Sequence, residues 1–197
     1  MSIVVEHEKR REEILEKVID VFVDEGYENT TFQKIADHCG ITRTTLYIYF
    51  KNKKEIFTYS IKFLLAKFDE DIQRIRCDTS LGSVDKITRV LLDIFKRLEE
   101  NRRLLSVVLD YLLHLSKNNI DPEQRVRRRV LKLRHILASL LIEGVKSGEL
   151  KTLDIKTADD FLYSLVETAI FRLVVLQKKT VDDLRTTTIS AVKQFAN

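Results

Sequence analysis

The stretch ITRTTLYIYFKNKK, residues 41–54, decides the fold of the first part of this chain. It places Thr-Arg-Thr-Thr ahead of two tyrosines and ends with three lysines in four positions. From His38 to Lys54 there is no aspartate or glutamate, although charged residues make up 32% of the chain. A polyanion is a natural partner for such a surface, because a carboxylate there would repel it.

The residues just before this stretch predict a long helix followed by a short one. Apolar side chains recur at helical spacing over residues 14–23, and Gly26 is typical of a helix end because glycine adopts positive φ easily. Thr30 with Gln33 is a helix start signal, and Thr31 is a competing cap. We expect the short helix to cover about residues 31–38 and to bury Phe32, Ile35 and Ala36.

A turn centred on glycine joins this helix to the next one. Thr42 is a natural cap for a third helix ending near Phe50, with Ile41 and Leu46 facing inward. Two short helices joined by such a turn form a helix-turn-helix, whose second helix presents its N-terminal side chains to base edges in the major groove. Hydroxyls and arginine in that position contact phosphates or bases.

Residue spacing alone does not distinguish a DNA-binding helix-turn-helix from a short helix pair that does not bind DNA. The charge distribution favours the first of these. Residues 1–29 carry 4 basic and 9 acidic side chains, whereas residues 30–54 carry 5 basic and 1 acidic. A compact positive region beside an acidic one favours a DNA-binding surface.

Residues 10–57, RREEILEKVIDVFVDEGYENTTFQKIADHCGITRTTLYIYFKNKKEIF, resemble the N-terminal domain of the TetR/AcrR family of transcriptional regulators. The matching elements are IL…VF…GY, TTF..IA, the G-I-T turn, TLY.YF and.NK.EIF, in order and correctly spaced. The resemblance implies a homodimeric repressor with a helical ligand-binding domain behind its DNA-binding heads. Carried over by position, the DNA contacts would be Thr31, Thr42, Arg43, Thr44, Thr45, Tyr47, Tyr49 and Lys53. Three positions depart from common family residues, namely Cys39, Thr44 and Lys54, and Thr44 could alter which base is read.

Helices are predicted for the rest of the chain. Asn52 with Glu55 opens a long helix to about Arg76, and Ser83 caps one running to Glu100. A further helix covers about residues 102–117. The start signal Asp121-Pro122-Glu123 opens another that ends near Ser147-Gly148. Asp154 or Thr157 opens the next helix, and Thr180 with Asp183 caps the last. We therefore expect an all-α fold of about nine helices, with a DNA-binding domain at residues 1–55 and a ligand-binding and dimerisation domain at residues 56–197.

The segment Phe161–Leu176 is apolar on nearly every side, which is typical of a helix that is covered all round. A fully internal helix would explain this, and so would a subunit interface. The resemblance implies that the last two helices form a four-helix bundle with those of the partner. The candidate interface residues are Leu165, Ala169 and Arg172.

Polar residues within apolar helices are the only signs of a ligand site. The candidates for contact with an apolar or aromatic effector are Phe63, Phe95, Tyr111, His114, Leu115 and Glu167. For His114 the alternative is a histidine satisfied or exposed elsewhere, and Glu167 could instead pair with Arg172. The arginines of residues 124–134 are expected on a solvated helix face.

Other classes of protein find little support. The chain has no nucleotide-binding glycine loop, no G-x-S-x-G and no metal-ligand spacing, so we predict neither an enzyme nor a cofactor or metal. It has no apolar run of membrane-spanning length and no signal-peptide pattern at residues 1–13, so we expect a cytoplasmic protein. The predicted function is a regulator that binds palindromic double-stranded operator DNA as a homodimer and is released by a small-molecule effector. The alternative is a sensor or adaptor of the same fold that acts without effector-dependent release of DNA.

Overall fold

The computed structural model describes the chain from Ser2 to Asn197, and the side chains of residues 2–4, 67 and 125 lie outside the described set. Within that range the chain is helical, as predicted, with nine helices. They are α1 (Ser2–Asn29), α2 (Phe32–Cys39), α3 (Arg43–Tyr49), α4 (Lys53–Cys77), α5 (Ser83–Glu100), α6 (Arg102–Lys117), α7 (Glu123–Ser147), α8 (Ile155–Val174) and α9 (Asp182–Lys193).

The chain divides into two compact units. The first comprises the chain up to Asp71 together with Val107–Tyr111, and the second comprises Ile72–Ser106 and Leu112–Asn197. The division falls within α4, and so does the predicted domain boundary between residues 55 and 56.

In the first unit, α1 is interrupted at Gly26, which has φ 76° and ψ 167°. The positive φ expected for this glycine is therefore present. Thr31, rather than Thr30, caps α2, because its hydroxyl accepts a 3.2 Å hydrogen bond from the Lys34 backbone N–H. Thr30 instead donates to the carbonyl of Gly26 at 2.6 Å. Of the two caps considered for α2, Thr31 is therefore the one that the structure shows.

The helix-turn-helix has the predicted core except at Ile41, which is only half-buried. Ile35 and Ala36 of α2 are fully buried, as are Leu46 of α3 and Phe50 just after it. Gly40 ends α2 in the left-handed conformation, with φ 68° and ψ 35°. The turn therefore brings α3 against α2 along an apolar seam.

The second unit packs α5 against α7, α8 and α9. Its core contains the fully buried side chains Leu91, Phe95 and Leu137. The sequence predicted that Ser83 caps α5, and this prediction was wrong. The Glu149 carboxylate does so instead, accepting hydrogen bonds from the backbone N–H groups of Ser83 and Val84 at 2.5 and 3.0 Å.

The later helix starts were predicted with mixed success. Asp154 caps α8 as expected, with its carboxylate accepting from the Lys156 N–H at 3.2 Å. The cap predicted for α9 was wrong, because the helix begins after Val181 without a side-chain cap. The Thr180 hydroxyl hydrogen-bonds the Asp182 carboxylate instead of a helical N–H.

No helix among the described residues is both long enough and apolar enough to cross a bilayer.

Candidate nucleic-acid interface

The start of α3 is fixed by two threonine hydroxyls. The Thr42 hydroxyl accepts a hydrogen bond from the Thr45 backbone N–H at 3.0 Å, which satisfies one of the unpaired donors of the first turn. The two hydroxyl oxygens also lie 2.8 Å apart and share one hydrogen bond. One hydroxyl hydrogen of the pair is then left to be donated outward.

The outer face of α3 carries polar and aromatic side chains. Arg43 and Thr44 are exposed, and Tyr47 is 49% exposed. The Arg43 guanidinium donates to the Tyr47 hydroxyl at 3.3 Å and lies 5.7 Å from the centre of its ring. This contact holds the arginine along the helix while leaving the rest of its fork accessible. Ile48, which was not among the predicted contacts, is also on this helix and is 67% exposed.

Two tyrosines of α3 stack on aromatic rings of the neighbouring helices. The Tyr47 ring stacks on Phe32 of α2, with centroids 4.6 Å apart. The Tyr49 ring stacks on His7 of α1, also at 4.6 Å. Stacked rings restrict rotation of both tyrosines, so their hydroxyls are held in defined positions.

Lys53, a predicted phosphate contact, has its ammonium engaged within the protein. Its ammonium donates to the backbone carbonyls of Tyr27 and Glu28 at 2.7 and 2.9 Å. It also lies 4.6 Å from the centre of the Tyr27 ring. Two of its three N–H donors are therefore used within the protein. The neighbouring Lys54 is exposed.

The acidic groups near the helix-turn-helix are engaged by donors within the protein. Lys34 of α2 forms an ion pair of 2.6 Å with Glu25 of α1. Asp37 accepts a hydrogen bond from the Gln33 amide at 2.7 Å. Glu55 is turned back to accept from the Lys51 N–H at 2.5 Å, while Asn52 caps α4 by accepting from the Glu55 N–H.

The six predicted effector contacts are spread through the fold. Phe95 and Leu115 are buried, Phe63 is half-buried, and Glu167 is exposed. His114 is exposed too, and its ring nitrogen lies 3.0 Å from the side-chain nitrogen of Asn118. His114 is thus exposed and within hydrogen-bond distance of a neighbouring side chain, and its contact with an effector stays a prediction.

Tyr111, the last of the six, belongs to an aromatic cluster in the first unit. Its ring lies 4.5 Å from that of Tyr27 and 5.1 Å from that of Phe57. Burial, together with the neighbouring Tyr111 and Glu28, raises the pKa of Tyr27 to about 12. A recess of about 220 Å³ opens beside the cluster, lined by residues 25–29, Asp110 and Tyr111. A second recess of about 460 Å³ lies at the α8–α9 connection, and neither is lined by the other five candidates.

The three predicted dimer residues are spaced along one side of α8. Leu165 and Ala169 are buried within the chain itself, so they have little surface left for a partner. Arg172 forms an ion pair with Asp183. The exposed apolar side chains of this segment are Phe161, Phe171, Val175 and Leu176. The candidate interface therefore moves from the buried side of α8 to the side that carries Phe171.

No group of three or more histidine, cysteine, aspartate or glutamate side chains in the described part of the chain is arranged to hold a metal ion.

Known proteins with similar sequences include regulators of transcription, and the matching domain contains the helix-turn-helix. Residues 14–59 match the domain described as bacterial regulatory proteins, tetR family. The chain is 26% identical over 168 residues to the fatty acid metabolism regulator protein of Bacillus subtilis strain 168, covering 85% of this chain and 84% of the relative. It is 28% identical over 142 residues to the HTH-type transcriptional repressor KstR2 of Mycolicibacterium smegmatis, covering 72% and 68%.

The fold is shared with solved regulators. The transcriptional regulator FadR from Bacillus subtilis, in complex with stearoyl-CoA, has a TM-score of 0.70 and 25% identity, covering 94% of this chain and 97% of that chain. A helix-turn-helix within an all-helical chain is also the arrangement of the transcriptional regulators to which this chain is similar. Residues 14–59 therefore form a DNA-binding domain of the tetR type, and the chain as a whole is similar to regulators that carry this domain.

Proposed function

We propose that this chain represses transcription as a homodimer that places α3 of each protomer in the major groove of a palindromic operator. The observation that carries the proposal is the outer face of α3. Arg43 and Thr44 are exposed there on a helix anchored by the Thr42 cap and the buried Leu46. The whole segment from His38 to Lys54 lacks carboxylates. A rigid, acid-free helix with exposed hydroxyl and guanidinium groups is suited to reading base edges.

Within this proposal the contacts divide into two kinds. Arg43 and Thr44 are placed to read bases, because they are exposed in the first turn of α3. Thr31, Tyr47 and Tyr49 hold phosphates through their hydroxyls, and the Thr42–Thr45 pair does so through the one hydroxyl hydrogen that it does not share. The Thr31 hydroxyl accepts from Lys34 and so keeps its own hydrogen for a phosphate oxygen.

Dimerisation follows from the need to read two half-sites. Two recognition helices must meet major-groove faces about 34–36 Å apart or a multiple of that distance. The exposed apolar side of α8, with Phe171, and the following Val175 and Leu176 supply a surface that water disfavours. We assign residues 1–55 to DNA binding and residues 56–197 to dimerisation and effector binding, and we expect the dimer to act in the cytoplasm.

The effector we propose is a long-chain acyl compound. A relative is named a fatty acid metabolism regulator, and the FadR structure contains stearoyl-CoA. Such a ligand releases the operator only by binding the DNA-free state more tightly, with a coupling of typically about 1–3 kcal/mol. Operator DNA must then weaken effector binding by the same factor.

The experiment is a selection of binding sites from random duplexes, followed by titration of the selected duplex. We expect a palindromic sequence, bound by two chains and with an affinity that falls as salt rises. Arg43→Ala should relax the preference at one base pair per half-site and weaken binding by about 1–3 kcal/mol. Failure to enrich any sequence would overturn the proposed function. Acyl-CoA that leaves operator affinity unchanged would overturn only the effector assignment.

A further inference from the structure

Ile48 is the most exposed apolar side chain of α3, with 67% of its surface accessible. It lies in the middle of a segment whose other outward side chains are polar or aromatic. Isolated apolar residues are normal on protein surfaces, so exposure alone decides nothing. The position of Ile48 on the helix is what gives it meaning.

The helical rotation places Ile48 at the centre of the outward face. With 3.6 residues per turn, Ile48 points about 160° away from Leu46, which is fully buried. It lies one turn after Thr44, about 40° around the helix axis. A helix seated on Leu46 and Phe50 therefore presents Thr44 and Ile48 together to whatever occupies its outer side.

We propose that Ile48 recognises the 5-methyl group of a thymine in each operator half-site, a role that rests on the DNA-binding function proposed above. Thymine is the only standard base that presents a methyl group in the major groove, and apolar side chains recognise it by contact. An isoleucine side chain offers no hydrogen bond, so contact with this methyl is the base-specific interaction open to it.

The surroundings favour DNA over a protein partner at this face. Arg43 and Thr44 are exposed beside Ile48, Lys51 and Lys54 are exposed just beyond it, and no acid occurs between His38 and Lys54. An apolar patch for a helix or a second copy of the chain would need further exposed apolar neighbours. Here a single aliphatic side chain is surrounded by groups that suit phosphates and base edges.

The test replaces each thymine of the selected operator by deoxyuridine, one position at a time, and measures the affinity of each duplex. Removing the methyl deletes the proposed contact and preserves base pairing. For the wild-type protein we expect one thymine per half-site at which the change weakens binding about fourfold, the value of one buried methyl group. For Ile48→Ala the same replacement should have no effect.

The matched control is Leu131→Ala. Leu131 is an exposed aliphatic residue of α7 in the second unit, 56% accessible. Its variant should keep the full wild-type sensitivity to deoxyuridine. Ile48→Val, which keeps a branched apolar side chain, should keep most of it. Alanine favours helix, so loss of folding is not expected at position 48.

The outcomes separate this inference from the proposed function. If the protein selects and binds an operator but no thymine is sensitive to loss of its methyl, the role of Ile48 is wrong and the repressor function stands. The same holds if Ile48→Ala stays as sensitive as the wild type. If no duplex is selected at all, the proposed function fails with it.

Discussion

The ammonium of Lys53, at the start of α4, donates a 2.7 Å hydrogen bond to the backbone carbonyl of Tyr27 and lies 4.6 Å from the centre of the tyrosine ring. A second bond of 2.9 Å reaches the carbonyl of Glu28. These carbonyls follow the interruption of α1 at Gly26. Lys53 therefore joins the end of α1 to the start of α4.

We predict that Lys53→Met destabilises the first unit. Loss of two charge-assisted hydrogen bonds should lower the free energy of unfolding by about 1–3 kcal/mol. Lys54→Met, at the exposed neighbouring position, should change it by less than about 0.5 kcal/mol. Urea unfolding measures both values. The salt dependence of operator binding by Lys53→Met should match the wild type, and a slope lower by a full unit would show that Lys53 binds a phosphate instead.

The same junction depends on Gly26. Its φ of 76° with ψ of 167° lies in a region that only glycine adopts readily. A Cβ added there would meet no other atom within 4 Å, so any effect of Gly26→Ala comes from the backbone alone. We expect a loss of about 1–3 kcal/mol in unfolding free energy. Gly40→Asn is the matched control, because asparagine tolerates the left-handed conformation. Equal, small effects at both sites would contradict the strain assigned to Gly26.

Several local contacts were predictable from the sequence. The Thr42 cap of α3 lies within one turn of its partner and was predictable, as were the buried Ile35 and Leu46. Contacts distant in sequence were not. Glu149 caps α5 from 66 residues away, and Lys53 reaches the carbonyl of Tyr27 across 26 residues.

The sequence also could not show which face of α8 is buried. A helix that is apolar on nearly every side has no clear periodicity, so nothing indicated which face turns inward. The structure shows that Leu165 and Ala169 are buried and that Phe171 is 52% exposed. The effector candidates stay predictions, because a buried aromatic residue such as Phe95 has the same sequence pattern in a core as in a pocket.

Tyr27 predicts a pH dependence of stability. An ordinary tyrosine has a pKa of about 10, whereas burial beside Tyr111 raises the pKa of Tyr27 to about 12. Below pH 10 both the folded and unfolded states hold the proton, so the stability is fully present. Between pH 10 and 12 the unfolded state releases it first, and stability falls. The tyrosinate absorbance of the wild type minus that of Tyr27→Phe should therefore appear near pH 12. A difference signal centred near pH 10 would contradict the burial of this hydroxyl.

The dimer surface is tested by a charge on the exposed side of α8. Phe171→Glu should bury an unpaired carboxylate in the proposed interface and weaken the dimer by on the order of 3 kcal/mol. Sedimentation velocity should then show monomers at concentrations where the wild type is dimeric. Leu131→Glu, at another exposed apolar position, should remain a dimer. A stable dimer of Phe171→Glu would move the interface elsewhere.

The central claim, that the outer face of α3 binds DNA, is tested most directly by Thr44→Asp. Thr44 is exposed in the first helical turn, where a carboxylate is favourable to the helix itself. Folding should therefore be preserved, whereas the new negative charge should face the phosphates and base edges. Titration of the selected operator duplex should show a loss of at least about tenfold in affinity for Thr44→Asp, a cost of about 1.4 kcal/mol or more. The uncharged control Thr44→Asn should lose far less. Wild-type affinity of a folded Thr44→Asp protein would contradict the account.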